Sequence, residues 1–335
     1  MSAQAPARGK TADSGLNTQL LRLGGIWLVL LTTPLWISHV GGYTALGSRV
    51  VILGLAAMSF NLLLGFTGVM SFGHAAFFGL GAYGAGFALK FFTDSTPLAV
   101  IAGTVLGGVI GALLGALVVR RRGVYFAMVT IAFGQVFYFI AIRWNSVTGG
   151  DDGLRGFGRQ PLHLGPWVID IQRDAAMYYY FVLAFFAIAT VLMGIILRSP
   201  FGHTLIAIRE NERRARFLGI PVEMHIWLAF VLSCVFVAMA GALYACLNDF
   251  ADPTNFNYNM SGTIVIMAVL GGFRSFWGPL LGATIYVVMQ DYLSSMTQNW
   301  MWAVGLMFVV VVLFFPRGLL GVFDKVGKPS EGTAQ

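Results

Sequence analysis

Residues 65–86 read GFTGVMSFGHAAFFGLGAYGAG, a segment apolar enough to cross a bilayer yet dense in glycine and carrying Ser71 and His74. An ordinary lipid-facing helix does not have this composition. Glycine in a helix costs about 1 kcal/mol relative to alanine in water, whereas in a membrane small residues let helix backbones approach closely and let a helix break where it lines a cavity. The segment therefore predicts a packed helix junction beside a pathway.

The rest of the chain supplies the membrane context. Of 335 residues, 57% are hydrophobic and only 10% are charged, with a mean hydropathy of +0.77. A spanning helix takes about 20 predominantly apolar residues. The runs 23–40, 50–64, 68–89, 98–119, 124–142, 177–197, 226–247, 261–272, 277–290 and 300–315 predict an all-α polytopic membrane protein of about ten transmembrane helices, some of them short or discontinuous. The organisation expected is a cytoplasmic tail at 1–22, a transmembrane domain at 23–316 and a second cytoplasmic tail at 317–335. The polar stretch 1–19 is long for a signal-peptide n-region, and no small-residue cleavage site follows the first apolar run, so that run is read as a retained helix.

Charge sets the orientation. With both termini inside, Arg49, Lys90, Arg143, Arg155, Arg159 and Arg173 fall outside, and the other fifteen of the 21 Lys and Arg fall inside, the direction the positive-inside rule requires. The net charge of +7 is thus a topology signal spread over short loops, and nucleic acid is not an expected partner, whereas membrane lipid is. Cys234 and Cys246 share one apolar run, where twelve residues of helix would hold them about 18 Å apart, too far for a disulfide. No metal-binding spacing occurs.

Two loops stand out in this topology. The external loop, 143–176, contains VTGGDDGLRGFG at 147–158, whose glycines and paired aspartates favour turns and fit a docking surface for an extracytoplasmic partner. The cytoplasmic loop, 198–223, crowds Arg209, Glu210, Asn211, Glu212, Arg213, Arg214 and Arg216 between apolar residues and ends on Gly219 and Pro221. Its middle is a short helix with a stop signal. Interleaved glutamates favour a soluble protein partner over anionic lipid as the surface it meets.

Polar and glycine positions at membrane depth are the candidate pathway or gate: Asn61, Gly65, Thr67, Gly68, Ser71 and His74 in the first glycine-rich hairpin, and Gly271, Gly272 and Ser275 in a second, VLGGFRSFWGP at 269–279. Short hydrophobic segments interrupted by glycine and proline point to discontinuous helices near a transport site. Thr130 and Gln135 need interhelical hydrogen bonds. Ser71 and His74, three apart, would share a helix face and bond to each other; without an acid nearby they do not make a catalytic triad. Gly79, Gly81 and Gly84 spell GxGxxG, but no strand precedes them and no acid follows at the required distance, so close helix packing is the reading. Ionisable groups are nearly absent deep in the spans, which argues against proton or sodium coupling.

In order along the chain, NLLLGFTGVMSFGHAAFFGLGAY (61–83), RRRGVYFAMVTIAFGQ (120–135), VTGGDDGL (147–154), FGHTLIAIRENERRARFLGI (201–220) and VLGGFRSFWGPLLGA (269–283) resemble the inner-membrane permeases of branched-chain amino acid ABC importers, of the M type. The resemblance implies a multi-pass subunit of the bacterial inner membrane working with a second related permease, two cytoplasmic ATPase subunits and a periplasmic substrate-binding protein. It implies that Thr204, Arg209, Glu210, Asn211, Glu212, Arg213 and Gly219 belong to the segment that couples to an ATPase. ATP and Mg would then be used by those partners; this chain has no GxxxxGK[ST] motif and is expected to bind no cofactor and to be no enzyme. Branched-chain amino acids rank first as solute, with urea, short-chain amides or aromatic acids as alternatives. An autonomous channel or facilitator for a small neutral solute is the competing class.

Overall fold

The computed structural model describes residues 24–164, 167–315 and 318–319. The tail at 1–22, and that at 317–335 apart from 318–319, lie outside the described residues. Thirteen helices follow one another: α1 at 24–36, α2 (Thr44–Thr67), α3 (His74–Phe87, continued by a π turn, Ala88–Phe92), α4 (Thr96–Val118), α5 (Val124–Arg143), α6 (Asn145–Thr148), α7 (Ala175–Arg198), α8 (Pro200–Glu210), α9 (Glu212–Phe217), α10 (Val222–Asn248), α11 (Tyr258–Gly271), α12 (Gly278–Met296) and α13 (Trp300–Phe314). One antiparallel pair of strands, β1 (Leu162–Leu164) and β2 (Trp167–Ile169), lies between α6 and α7.

Each of the ten apolar runs becomes a helix. Among the described residues six helices are long and apolar enough to cross a membrane: α2, α3 with its π turn, α4, α5, α7 and α10; α11 and α13 are apolar but shorter. The boundaries follow local chemistry. α2 stops where Gly68 takes φ 75°, and the Gly68 N–H closes on the Leu64 carbonyl, the left-handed stop that glycine makes without a Cβ penalty. Proline in the first turn starts α4, α8 and α12, where its missing N–H costs nothing. Side chains of Asp174, Asn211 and Asn257 cap α7, α9 and α11.

α2, α3 and α10 form the centre, with α4, α7, α11 and α12 around them. In α2 83% of the apolar window is buried, against 22% in α5, so α5 is a peripheral helix. Glycine makes the central packing possible. A Cβ on Gly81 would overlap the Ala238 carbonyl of α10, one on Gly103 the Gly81 carbonyl, and one on Gly241 the Phe78 carbonyl. The GxGxxG motif is thus a surface for backbone contact, as read from its context. Cys234 and Cys246 are both buried and unpaired.

The glycine-rich span differs from its sequence reading at its start. Residues 68–73 are not helical, and the helix begins only at His74. Ser71 and His74 therefore do not share a helix face. The Ser71 hydroxyl accepts the Gly73 N–H at 3.3 Å, and the ring Nε2 of His74 meets the Ser233 hydroxyl of α10 at 2.8 Å. Two glycines of the preceding turn, Gly68 and Gly73, and tertiary acceptors compete with the helix there, and the helix loses.

Candidate functional site

The two glycine-rich hairpins, far apart in sequence, meet tip to tip. α2 and α3 flank the first glycine-rich turn, with α10 packed on both, and α11 and α12 pack together as the second hairpin. The Asn61 amide donates to the Ser275 carbonyl at 2.9 Å. A Cβ on Gly65 would overlap the Phe273 carbonyl and the Asn61 side-chain oxygen, so this contact requires glycine. Within the second hairpin a Cβ on Gly271 would overlap the Gly278 carbonyl, and Gly272 takes φ 110°. Residues 318–319 return to this tip: the Leu319 N–H donates to the Leu270 carbonyl at 3.1 Å, and Gly318 lies against the Gly272 backbone.

α8 is attached to the same place. The Arg209 guanidinium donates to the Gly65 carbonyl, one of the last carbonyls of α2, which lack partners in their own helix and carry the negative end of its dipole. The Arg209 stem lies 3.1 Å from where a Gly68 Cβ would be. Thr67, between them, bonds back to the Leu63 carbonyl at 2.5 Å. Thr204 likewise bonds within its own helix, to the Pro200 carbonyl at 2.9 Å.

The α8–α9 segment rests on a small apolar cluster of Ile208, Ala215, Val119, Val222 and Ile226. A chain of ion pairs holds it: Arg122 to Glu212 at 3.0 Å, Glu212 to Arg216 at 2.9 Å and Arg216 to Glu223 at 2.6 Å. Partial burial raises the Glu212 pKa, but the hydrogen bonds from Arg216 and Arg122 outweigh it and hold the carboxyl below its ordinary value. Glu223 is also held low, by its own backbone N–H and by Arg216. The outer surface of the segment is free: Glu210, Asn211, Arg213 and Gly219 are exposed, and Phe217 and Leu218 are 90% and 75% exposed. Gly219 takes φ 80° and has open space around it.

The start of α3 is fixed by hydroxyls from three neighbours. Thr130 of α5 accepts the Phe72 N–H at 3.2 Å, and Ser261 of α11 accepts the Ala75 N–H at 2.9 Å. Ser233 of α10, which meets His74, donates to the Ser59 carbonyl of α2 at 2.5 Å. Helix N-termini carry unpaired N–H groups, and in hydrocarbon another helix must accept them. Ser59, Ser233, Ser261 and Arg122 escaped the sequence reading of the site. Single serines in apolar runs carry no pattern, and Arg122 reads as one of three equivalent loop arginines.

Of the candidates read from sequence, Asn61, Gly65, Gly68, Gly271, Gly272, Ser275 and Arg209 come together at this junction, with Thr67 beside it. His74 and Ser71 sit deeper, at the α3 start. Glu210, Asn211, Glu212, Arg213 and Gly219 lie on α8–α9 and its exit. Among the described residues no cluster of three His, Cys, Asp or Glu could hold a metal ion.

Fold and site together define a polytopic helical membrane protein in which a charged two-helix segment is fastened to paired, broken helix hairpins. Comparison with known proteins places this class. Residues 43–315 match the family described as "Branched-chain amino acid transport system / permease component", and the chain belongs to that family. It is similar to the high-affinity branched-chain amino acid transport system permease protein LivM of Salmonella typhimurium, 26% identical over 96% of this chain and 80% of the relative. LivM of Escherichia coli is 25% identical over the same shares, and LivH of Salmonella typhimurium is 24% identical over 80% of this chain and 90% of the relative. No solved structure matches.

The chain is therefore an ABC transporter permease of the bacterial inner membrane, a multi-pass, non-catalytic component. Subunits of this kind bind no cofactor, and ATP is used by ATPase partners. The autonomous facilitator is set aside on this ground. Similarity to both LivM and LivH implies a partner permease.

Proposed function

We propose that this chain is one half of the translocation unit of an ATP-driven importer for branched-chain amino acids, working with a second related permease, two cytoplasmic ATPase subunits and a periplasmic binding protein that delivers the solute. In this reading α8–α9 and both termini face the cytoplasm, all ten long apolar segments cross or enter the bilayer, and the 143–176 loop meets the binding protein. Substrate class rests on the named relatives. Urea, short-chain amides and aromatic acids are the alternative solutes, because the permease path need not select what a binding protein has already selected.

The observation that carries the mechanism is the Arg209 bond to Gly65. It ties the segment proposed to sit on an ATPase to the end of α2, and through Asn61 and Ser275 to the second hairpin. ATPase closure that displaces α8 would pull on both tips at once, and the differential fit of α8–α9 to the two ATPase states supplies the work. The path then runs beside the hairpins 65–86 and 261–290, opened and closed by alternating access.

Reconstitution tests this directly. The chain, its partner permease, its ATPases and its binding protein in liposomes should take up radiolabelled leucine only with ATP, and isoleucine and valine should compete while urea and benzoate do not. Uptake by this chain alone, or competition by urea or benzoate in place of the branched-chain amino acids, overturns the proposal. Gly219→Pro in the same vesicles should retain the protein in the membrane and lose uptake, since proline cannot take the positive φ at that exit.

A further inference from the structure

Between α10 and α11 the chain makes a 3₁₀ turn, Pro253–Phe256, which wedges between α3 and α5. Gly79 lets it approach: a Cβ there would overlap the Phe256 ring. The Phe256 ring packs on Tyr83 of α3 at 5.3 Å and on Phe137 of α5 at 6.3 Å, and Tyr83 packs on Phe87 at 6.3 Å. Two hydrogen-bond donors are sunk beside these aromatics without a partner, the Tyr83 hydroxyl and the Asn255 amide nitrogen, on residues only 3% and 7% exposed.

Packing does not account for them. A phenylalanine at 83 and an apolar residue at 255 would fill the same space, whereas each buried unpartnered donor costs about 1–3 kcal/mol. An acceptor belongs there. The turn also holds a carboxylate: Asp252, the residue that caps its start, accepts the Thr254 N–H at 2.8 Å. Among the described residues Asp252 has no ion-pair partner, while its neighbour Asp249 is bound to Arg159 at 3.3 Å. Donors, a free carboxylate and aromatic walls are the complement of an amino acid with an apolar side chain.

We propose that Tyr83, Asn255 and Asp252 form a site for the zwitterionic head of an amino acid. The Tyr83 hydroxyl and Asn255 amide donate to its carboxylate, the Asp252 carboxylate accepts from its ammonium, and the side chain lies on Phe256, Phe137 and Phe87. The inference rests on the proposed function and adds to it a place where the solute is held. That place lies directly inside the 143–176 loop, which pairs with the chain here through Leu154 and Ala251 at 3.0 and 3.1 Å. A solute delivered at that end would meet it first.

The test uses the assembled importer in liposomes, with radiolabelled leucine uptake and ATP hydrolysis read from the same vesicles. Tyr83→Phe, Asn255→Leu and Asp252→Asn should each lower uptake kcat/KM about tenfold, the size of one lost charge-assisted hydrogen bond, while hydrolysis stimulated by the binding protein is retained. The melting temperature of Tyr83→Phe should equal or exceed that of the unaltered protein, because a buried unpaired hydroxyl has been removed. Unaltered uptake in Tyr83→Phe and Asn255→Leu overturns the site and leaves the importer standing. Parallel loss of uptake, hydrolysis and melting temperature also overturns it, in favour of a structural role. Failure of the unaltered protein to carry any amino acid removes the proposed function and this site with it.

Discussion

Arg209→Ala removes one bond, and its consequence can be worked through. The guanidinium donates to the Gly65 carbonyl at the end of α2, and charge-assisted hydrogen bonds contribute about 1.5–3 kcal/mol when well buried. Arg209 is exposed as a residue, so solvent screening brings the value toward about 1 kcal/mol. That is about fivefold in the equilibrium between α8 seated and unseated on the tip. The apolar cluster and the Arg122–Glu212–Arg216–Glu223 chain remain, so the protein should fold and reach the membrane normally. The assay is the ratio of leucine transported to ATP hydrolysed in proteoliposomes. Arg209→Ala should lower that ratio about fivefold with a melting temperature lowered by no more than about 4 °C, and Arg209→Lys should restore part of the ratio, since a point charge still favours the helix end. A wild-type ratio in Arg209→Ala refutes the idea that this bond transmits the stroke.

Gly81→Ala should lower the melting temperature in detergent by the equivalent of about 1–3 kcal/mol, because its Cβ meets the Ala238 backbone, even though alanine is the better helix former. Gly194→Ala in α7, with nothing within 4 Å, should not lower it; equal effects at the two positions would disprove the close-packing account. Glu212 and Glu223 have folded pKa values below their ordinary ones, so their contribution to holding α9 is complete above the ordinary carboxylate range and is lost as pH falls through it toward the lowered values. Hydrogen exchange, corrected for its intrinsic pH dependence, should report faster opening of Glu212–Phe217 as pH falls through that window and as salt rises at neutral pH. Opening indifferent to both would show that the apolar cluster alone holds the segment.

Much of the fold was legible because hydropathy is a local property. Every apolar run became a helix, since a backbone in hydrocarbon has no other way to satisfy its N–H and C=O groups within one segment. Two breaks were legible too, from the glycines and proline of VLGGFRSFWGP between α11 and α12 and from Gly219 and Pro221 between α9 and α10. The start of α3 was not. Nothing near Ser71 announces that hydroxyls of Thr130 and Ser261, about 60 and 190 positions downstream, accept the N–H groups of that turn.

The sequence by itself determined the membrane class, the helical segments, the charged α8–α9 loop and the two glycine-rich hairpins, because composition and spacing act over a few residues. Only the tertiary structure decided that the hairpins meet at their tips, that Arg209 fastens α8 to the end of α2, and that the Phe256 turn packs against Tyr83 of α3. Those contacts depend on which helix backbones approach closely. That is set by pairs of glycines such as Gly81 and Gly103, on different helices, whose partnership no single stretch of sequence records.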